Sequence, residues 1–203
     1  MRCIVVLRGF HGTTTVGIVV NDGVVLAADK RASSGLYVAH KTVRKIIRMD
    51  DRAALTIAGL VADAQTLADF LKIEILSRKV MYGYTPTLKS LAKLLSLILN
   101  SSKYYPYIVQ LLLGGYDDRP RLYAIELFGD VVEEDYAATG SGSPIAIGVI
   151  ESNYRRDMPV DEALNLAVKA VSASIARDVF TGEAVDAVVI TKDSYREYSF
   201  KIR

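Results

Sequence analysis

The chain has 203 residues, of which 51% are hydrophobic and 24% are charged, a size and composition that fit one folded domain. Its formal net charge is +2, but residues 1–12 contribute two arginines and no acid, so the remainder is neutral. A neutral body argues against nucleic acid and anionic membranes as partners, because both attract clustered Lys and Arg. The only cysteine, Cys3, excludes an internal disulfide and suits a reducing compartment.

The N-terminal segment does not have the pattern of a targeting signal. Only five apolar residues separate Arg2 from Arg8, and this run is too short for the apolar region of a signal peptide. No stretch of the sequence reaches the roughly 18 consecutive apolar residues that a membrane span requires. We therefore expect a soluble, cytoplasmic protein.

Strand patterns dominate the first 60 residues. Residues 15–29 contain two β-branched runs joined by Asn-Asp-Gly at 21–23. This pattern predicts a hairpin, because the three linking residues tolerate the positive φ of a tight turn. Two more apolar runs, at 43–49 and 53–58, predict a second pair of strands.

Helical patterns follow. Apolar residues recur at three- and four-residue spacing over positions 61–75, which predicts an amphipathic helix that ends before Gly83. Thr85 and Pro86 predict the start of another helix, with Thr as the cap and Pro at the first helical position. Leucines and isoleucines crowd positions 88–99 of that helix. Such an apolar helix is expected to be deeply buried or shared with a partner subunit.

The second half of the chain again groups strands apart from helices. The predicted elements are strands at 107–113, 121–127 and 131–137, helices at 145–153 and 160–177, and a final hairpin formed by 186–192 and 195–201. Strands and helices that occur in separate runs indicate an α+β fold rather than alternating βαβ units.

Few residues offer the chemistry of a metal or cofactor site. His11 and His40 are the only histidines, and with a single cysteine they predict neither a Cys/His metal cluster nor a Ser-His-Asp triad. The Gly-rich segment 140–144 lacks the Gly-Lys-Ser/Thr ending of a phosphate-binding loop. We therefore expect no metal and no cofactor.

Three consecutive threonines, 13–15, follow Gly12 and directly precede the predicted hairpin. Threonines at the start of a strand are usually structural, because β-branched residues favour strands. A threonine hydroxyl becomes a nucleophile when a base lies beside it, and the α-amine of an N-terminal threonine, with a pKa of roughly 7.7–8.0, supplies such a base. A catalytic Thr13 would therefore require cleavage of the Gly12–Thr13 bond and removal of residues 1–12 as a propeptide.

Several segments, in the same order along the chain, resemble proteasome β subunits. They are GTTTVG (12–17), LAADKR (26–31), HK (40–41) with KI (45–46), TIAGL (56–60), TGSGSP (139–144), RD (177–178) and DAVVIT (186–191). The resemblance extends from Gly12 nearly to the C-terminus without an obvious gap. A proteasome α subunit would instead carry an N-terminal helical extension and no processed threonine, so the β type is indicated.

The resemblance implies a threonine endopeptidase with Thr13 as nucleophile and the free amine of Thr13 as proton acceptor. Lys45 resembles the catalytic lysine of the family, which lowers the pKa of the threonine hydroxyl by its positive charge. Asp29 resembles the carboxylate that orients this lysine and keeps it charged. Gly59 resembles the glycine whose backbone N–H forms the oxyanion hole.

The resemblance also implies residues around the amine and the substrate. Ser141 and Asp178 match the pair that hydrogen-bonds near the threonine amine. Thr181 stands where the family often has Ser, which retains the hydroxyl but adds a methyl group. The lining of the first substrate pocket is apolar, so a hydrophobic side chain is expected before the scissile bond. The substrate-binding residues are Ala32, Val43, Ile47, Ile57 and Val61, together with Ser33.

The implied fold is α+β, the four-layer αββα sandwich of N-terminal nucleophile hydrolases, as a single catalytic domain over residues 13–203. Implied partners are α subunits and other β subunits in stacked seven-membered rings, a regulatory ATPase and unfolded protein substrates. One alternative is the bacterial two-tiered ATP-dependent peptidase, which shares the Thr-Thr start but forms six-membered rings; segment 139–144 and the chain length favour the proteasome. Another is a structural β subunit that stays unprocessed and supports an active paralogue.

Overall fold

The computed structural model describes residues 12–34 and 37–202. Residues 1–11 of the predicted propeptide 1–12, which include Cys3 and His11, lie outside these ranges. The strands are β1 (Thr15–Val20), β2 (Gly23–Asp29), β3 (Ala32–Ser34), β4 (Tyr37–His40), β5 (Ile46–Arg48), β6 (Ala53–Gly59), β7 (Val109–Tyr116), β8 (Pro120–Ile125), β9 (Val131–Glu133), β10 (Tyr136–Thr139), β11 (Ala184–Thr191) and β12 (Tyr195–Lys201). The helices are α1 (Val61–Tyr82), α2 (Leu88–Ser101), α3 (Ser143–Glu151) and α4 (Val160–Ile175).

Two five-stranded antiparallel sheets form the centre of the molecule. The first sheet has the order β10-β1-β2-β11-β12 and the second has the order β5-β6-β7-β8-β9. Helices α3 and α4 pack on the outer face of the first sheet, and α1 and α2 pack on the outer face of the second. The predicted α+β class and the four-layer αββα sandwich are confirmed.

The alternating side chains of β1 and β2 contribute to two hydrophobic cores of the described residues. One core lies between the first sheet and helices α3 and α4, and the other lies between the two sheets. Val16, Ile18 and Val20 pack against α3 and α4, whereas Val19 packs against the opposite sheet. This division follows from the two-residue period of a strand, which sends successive side chains to opposite faces. Both faces of the first sheet are therefore apolar, and all residues of β1 and β2 are buried.

The predicted strand 131–137 is wrong as a single element. It forms two short strands, β9 and β10, which belong to different sheets: β9 pairs with β8, and β10 pairs with β1. The chain crosses between the sheets at residues 134–135, where Glu134 N donates to Leu122 O and Asp135 O accepts from Val19 N. The β3–β4 hairpin, in turn, was not predicted.

The predicted start of α2 at Thr85 and Pro86 is also wrong, because the helix is capped two residues later than predicted. Thr87 is the N-cap, because its hydroxyl accepts a hydrogen bond from Ser90 N at 3.2 Å. Pro86 therefore precedes the cap rather than occupying the first helical position. Both threonines satisfy the sequence rule for a cap, and only the backbone geometry distinguishes them.

Most of the apolar residues of α2 pack into the core of the subunit. Its buried residues are Leu88, Leu91, Ala92, Leu95, Ser96 and Leu99, whereas Leu97 is exposed.

Helix α1 carries a second apolar surface that faces solvent, the α1 outer stripe. Its residues, Phe70, Ile73, Leu76, Val80, Met81 and Tyr82, are between 46% and 74% exposed. Within the described ranges, no helix is both long and apolar enough to cross a membrane.

Candidate active site

Thr13 lies just before β1, at the edge where the first sheet meets the loops after β10 and α4. The side chain is almost fully buried, with 3% exposure. The Thr13 hydroxyl donates a hydrogen bond to the carbonyl oxygen of the preceding residue, Gly12, at 2.8 Å. The hydroxyl is therefore beside the carbonyl of the peptide bond whose cleavage would expose the Thr13 amine.

Asp29, at the end of β2, holds Lys45 in a buried ion pair. Lys45 Nζ lies 2.7 Å from Asp29 Oδ1, and the two side chains are 4% and 0% exposed. The carboxylate also accepts three backbone N–H groups at 3.0 Å each, from Thr14, Arg31 and Gly182. Four donors around one carboxylate fix its orientation, and the ion pair in turn fixes the position of the Lys45 ammonium.

Burial lowers the pKa of Lys45 below the ordinary lysine value, although the charge and hydrogen bond of Asp29 act in the opposite direction. The energetic penalty of taking an ammonium out of water thus exceeds the stabilisation from its carboxylate partner. That Asp29 keeps Lys45 charged stays a prediction. An ammonium with a lowered pKa gives up its proton more readily than that of an ordinary lysine.

A hydroxyl and carboxylate chain surrounds the nitrogen of Thr13. Thr13 N donates to Ser141 Oγ at 3.3 Å, and Ser141 Oγ donates to Asp178 Oδ2 at 2.6 Å. Thr181 Oγ1 donates to the same carboxylate oxygen at 2.5 Å. The additional methyl group of Thr181 therefore does not prevent its hydroxyl from reaching Asp178.

Gly59 ends β6 with a φ of +107°, a backbone conformation that residues with a side chain rarely adopt. A Cβ at this position would overlap the Ile108 carbonyl oxygen of the neighbouring chain segment. Gly59 lines the same cavity as Thr13 and Lys45. Only glycine fits this backbone position, which stands beside the nucleophile.

We expect Gly59→Ala to lower the thermal stability of the protein as well as its activity. The matched control is Gly83→Ala, because Gly83 also has a positive φ, +71°, but the described part of the chain leaves open space within 4 Å of the Cβ that alanine would add there. In both variants, an alanine at positive φ strains the backbone by roughly 1–2 kcal/mol. Gly59→Ala adds a steric clash between the new Cβ and the Ile108 carbonyl oxygen. Thermal unfolding midpoints of both variants measure the difference; equal midpoints would contradict the steric argument.

The cavity at Thr13 contains half of the predicted substrate-binding residues. Ala32, Ile57 and Val61 line it, and Ala64 and Arg31, which were not predicted, complete the wall. Ser33 lies next to it, since Ser33 Oγ accepts a hydrogen bond from Gly12 N at 3.3 Å. Ala64 follows Val61 by three residues on α1, so helical spacing could have identified it.

Val43 and Ile47 are not among the residues that line this cavity. Val43 is tied by its backbone N–H to Lys30 O at 3.0 Å. Ile47 is partly buried against the core beneath α1 and α2, and it also lines a separate surface cavity beside Arg44 and Lys72. Their part in substrate binding stays a prediction.

Thr14 and Arg31 are polar residues of the site to which the sequence interpretation gave no role. Thr14 Oγ1 lies 2.7 Å from Thr181 Oγ1. Arg31 donates to the Val179 carbonyl oxygen and to Glu183, and so holds the loop that carries Asp178. Both residues lie within segments that resemble the family. Their hydrogen-bond partners, however, are distant in sequence, so no local sequence pattern predicts these contacts.

Comparison with known proteins gives a consistent result. Residues 10–190 match the family described as "Proteasome subunit". The chain is 57% identical to proteasome subunit beta 2 of Hyperthermus butylicus over 97% of this chain and 93% of the relative. It is 53% identical to proteasome subunit beta 2 of Sulfolobus acidocaldarius over 94% of each chain. The chain therefore belongs to the proteasome subunit family, as a β-type subunit of the archaeal kind.

Proposed function

We propose that this subunit is a threonine endopeptidase whose nucleophile, Thr13, is exposed by cleavage of its own Gly12–Thr13 bond. The observation that carries the proposal is the contact between the Thr13 hydroxyl and the Gly12 carbonyl oxygen at 2.8 Å. Oγ1 attacks the Gly12 carbonyl carbon, the bond from that carbon to Thr13 N breaks, and the nitrogen takes up the hydroxyl proton. Water then hydrolyses the resulting ester, which releases residues 1–12 with a free carboxylate.

The same groups support hydrolysis of a substrate peptide. The freed amine of Thr13 accepts the hydroxyl proton, Oγ1 forms an ester with the substrate acyl group, and the departing amine of the substrate takes the proton. Water hydrolyses the ester and regenerates Thr13. Lys45 favours the hydroxyl's ionisation by its charge, and the N–H of Gly59 stabilises the developing oxyanion.

The amine needs a defined position and a defined proton affinity. Ser141 accepts from Thr13 N and passes its own hydrogen bond to Asp178, as described above. Thr181 supplies a second donor to the same carboxylate. In this proposal Ser141, Asp178 and Thr181 orient the amine so that its lone pair faces the hydroxyl.

The direct test is the N-terminal residue of the subunit in its assembled particle, combined with peptide hydrolysis by that particle. The proposal expects an intact mass that corresponds to residues 13–203 and measurable peptide hydrolysis. Particles in which residues 1–12 remain attached and hydrolysis is absent would favour a structural, unprocessed β subunit instead.

We expect cleavage after hydrophobic side chains, because the cavity at Thr13 is lined mainly by Ala32, Ile57, Val61 and Ala64. The charge of Arg31 in the same wall is paired with Glu183 at 3.1 Å. Each additional buried methylene of the substrate contributes up to about 0.8 kcal/mol, or roughly fourfold in rate. Fluorogenic peptides that end in Leu, Tyr, Arg or Glu measure this preference; faster cleavage after Arg or Glu would contradict it.

Assembly with other subunits follows from the family, and the α1 outer stripe is consistent with it. A contiguous apolar surface on a helix that already packs its other face on the core is typical of a subunit contact. We propose stacked seven-membered rings with α subunits at the ends, which would confine proteolysis to an enclosed chamber in the cytoplasm. A regulatory ATPase would deliver unfolded protein substrates to that chamber.

A further inference from the structure

Thr14, directly after the nucleophile, is hydrogen-bonded to both halves of the site. Its backbone N–H donates to Asp29 Oδ1 at 3.0 Å, the same oxygen that binds Lys45. Its hydroxyl lies 2.7 Å from the hydroxyl of Thr181, and its side chain is fully buried. The backbone contact is available to any residue, whereas the hydroxyl contact requires Ser or Thr.

The direction of the hydroxyl contact follows from the donors and acceptors in the chain. The Asp178 carboxylate accepts hydrogen bonds and, when ionised, donates none. Thr181 uses its single proton to donate to Asp178 Oδ2. Thr14 Oγ1 is therefore the donor to Thr181, and the series of hydrogen bonds runs from Thr14 through Thr181 to Asp178. Ser141 connects the same carboxylate to Thr13 N, because it accepts from that nitrogen and donates to Asp178.

The packing around the Thr14 hydroxyl keeps it in place. Gly142 lies against it so closely that a Cβ at this position would overlap Thr14 Oγ1. The absence of a side chain at Gly142 thus leaves room for the hydroxyl, and Ser174 packs on the same glycine. The Thr14 hydroxyl therefore has a fixed place beside Gly142 and a hydrogen-bond partner in Thr181.

We infer that Thr14 is a positioning residue whose hydroxyl, acting through Thr181 and Asp178, sets the orientation and the proton affinity of the Thr13 amine. This inference rests on the proposed function, since it concerns the proton acceptor of that reaction. Thr14 does not line the cavity at Thr13, so it affects the proton transfer and not the binding of the substrate.

The sign of the effect follows from the charge on Asp178. A donor hydroxyl that itself receives a hydrogen bond is a stronger donor, so Thr14 helps Thr181 to stabilise the negative charge of Asp178. Without the Thr14 hydroxyl, more of that charge acts on the Thr13 amine and favours its protonated form. Among the described residues, the other charged groups around the site are Lys45, Asp29, and Arg31 with its partner Glu183. The substitution leaves these groups unchanged.

The test is Thr14→Val, which keeps the shape of the side chain and removes the hydroxyl, with Thr14→Ser as the conservative variant. Thr191→Val is the matched control, because it removes a hydroxyl contact of the same length, 2.7 Å to Ser194, at a distant turn. Rates of peptide hydrolysis by assembled particles are divided by the processed fraction from intact mass. This division separates catalysis from slow removal of residues 1–12.

Thr14→Val should lower kcat by about two- to tenfold, the effect of one hydrogen bond of ordinary strength, with KM unchanged. The acidic limb of its kcat/KM profile should move to higher pH, because the amine must be deprotonated to accept the proton. Thr14→Ser should restore both values, and Thr191→Val should match the wild type. A Thr14→Val enzyme with the wild-type kcat and pH profile would overturn the role of Thr14, whereas an inactive wild type would overturn the proposed function itself.

Discussion

Thr13→Ala should leave residues 1–12 attached and abolish peptide hydrolysis in assembled particles. The Thr13 hydroxyl is the group placed 2.8 Å from the Gly12 carbonyl oxygen, and alanine has no atom that replaces it. Loss of a nucleophile usually lowers the rate by more than about a thousandfold. The remaining hydrogen bonds around Asp29 do not involve this side chain, so the variant should still fold and assemble.

Intact mass of the subunit and peptide hydrolysis, measured on the same particles, check this prediction. Thr66→Ala is a suitable control, because Thr66 is exposed and its hydroxyl donates within α1, to Ala62 O at 2.9 Å. The control should be processed and active like the wild type. If Thr13→Ala particles lost residues 1–12, another nucleophile would have to cleave the bond, and self-cleavage would be refuted.

Lys45→Arg should also abolish hydrolysis, although it keeps the positive charge. The Lys45 ammonium is buried and lies 2.7 Å from Asp29 in a space that holds a compact donor. A guanidinium is larger and planar, and it does not release its proton in proteins. In the proposed mechanism Lys45 acts by its charge beside the nucleophile. A guanidinium cannot place its charge at the same buried point beside Asp29, so we expect a loss of at least about a hundredfold.

Lys30→Arg is the matched control, because Lys30 pairs with Asp186 at 2.9 Å in a partly exposed position. It should retain wild-type activity, which would show that a lysine-to-arginine change in an ion pair is not harmful by itself. The wild-type profile adds a second check: activity that depends on the Lys45 ammonium should fall as the pH rises through its lowered pKa. Near wild-type turnover of Lys45→Arg in correctly assembled particles would remove Lys45 from the mechanism.

Local patterns in the sequence were sufficient for most elements of the fold. The Asn-Asp-Gly turn at 21–23 predicted the β1–β2 hairpin, and the helical spacing from Val61 predicted α1, which ends at Tyr82 before Gly83 as expected. These predictions succeed because periodicity and turn residues act over a few positions. The predicted strand 131–137 failed because its pattern does not show that β9 and β10 pair with strands of different sheets.

The sequence by itself determined the family resemblance, the α+β class and the nucleophile candidate Thr13, because each depends on residue types at fixed spacing. The tertiary structure alone decided which groups contact one another: Asp29 with Lys45, Ser141 with Asp178, and Thr14 with Thr181. It also decided that the pKa of Lys45 is lowered. Hydrogen-bond partners and burial depend on segments that are distant in sequence and meet only when the two sheets and their loops pack together.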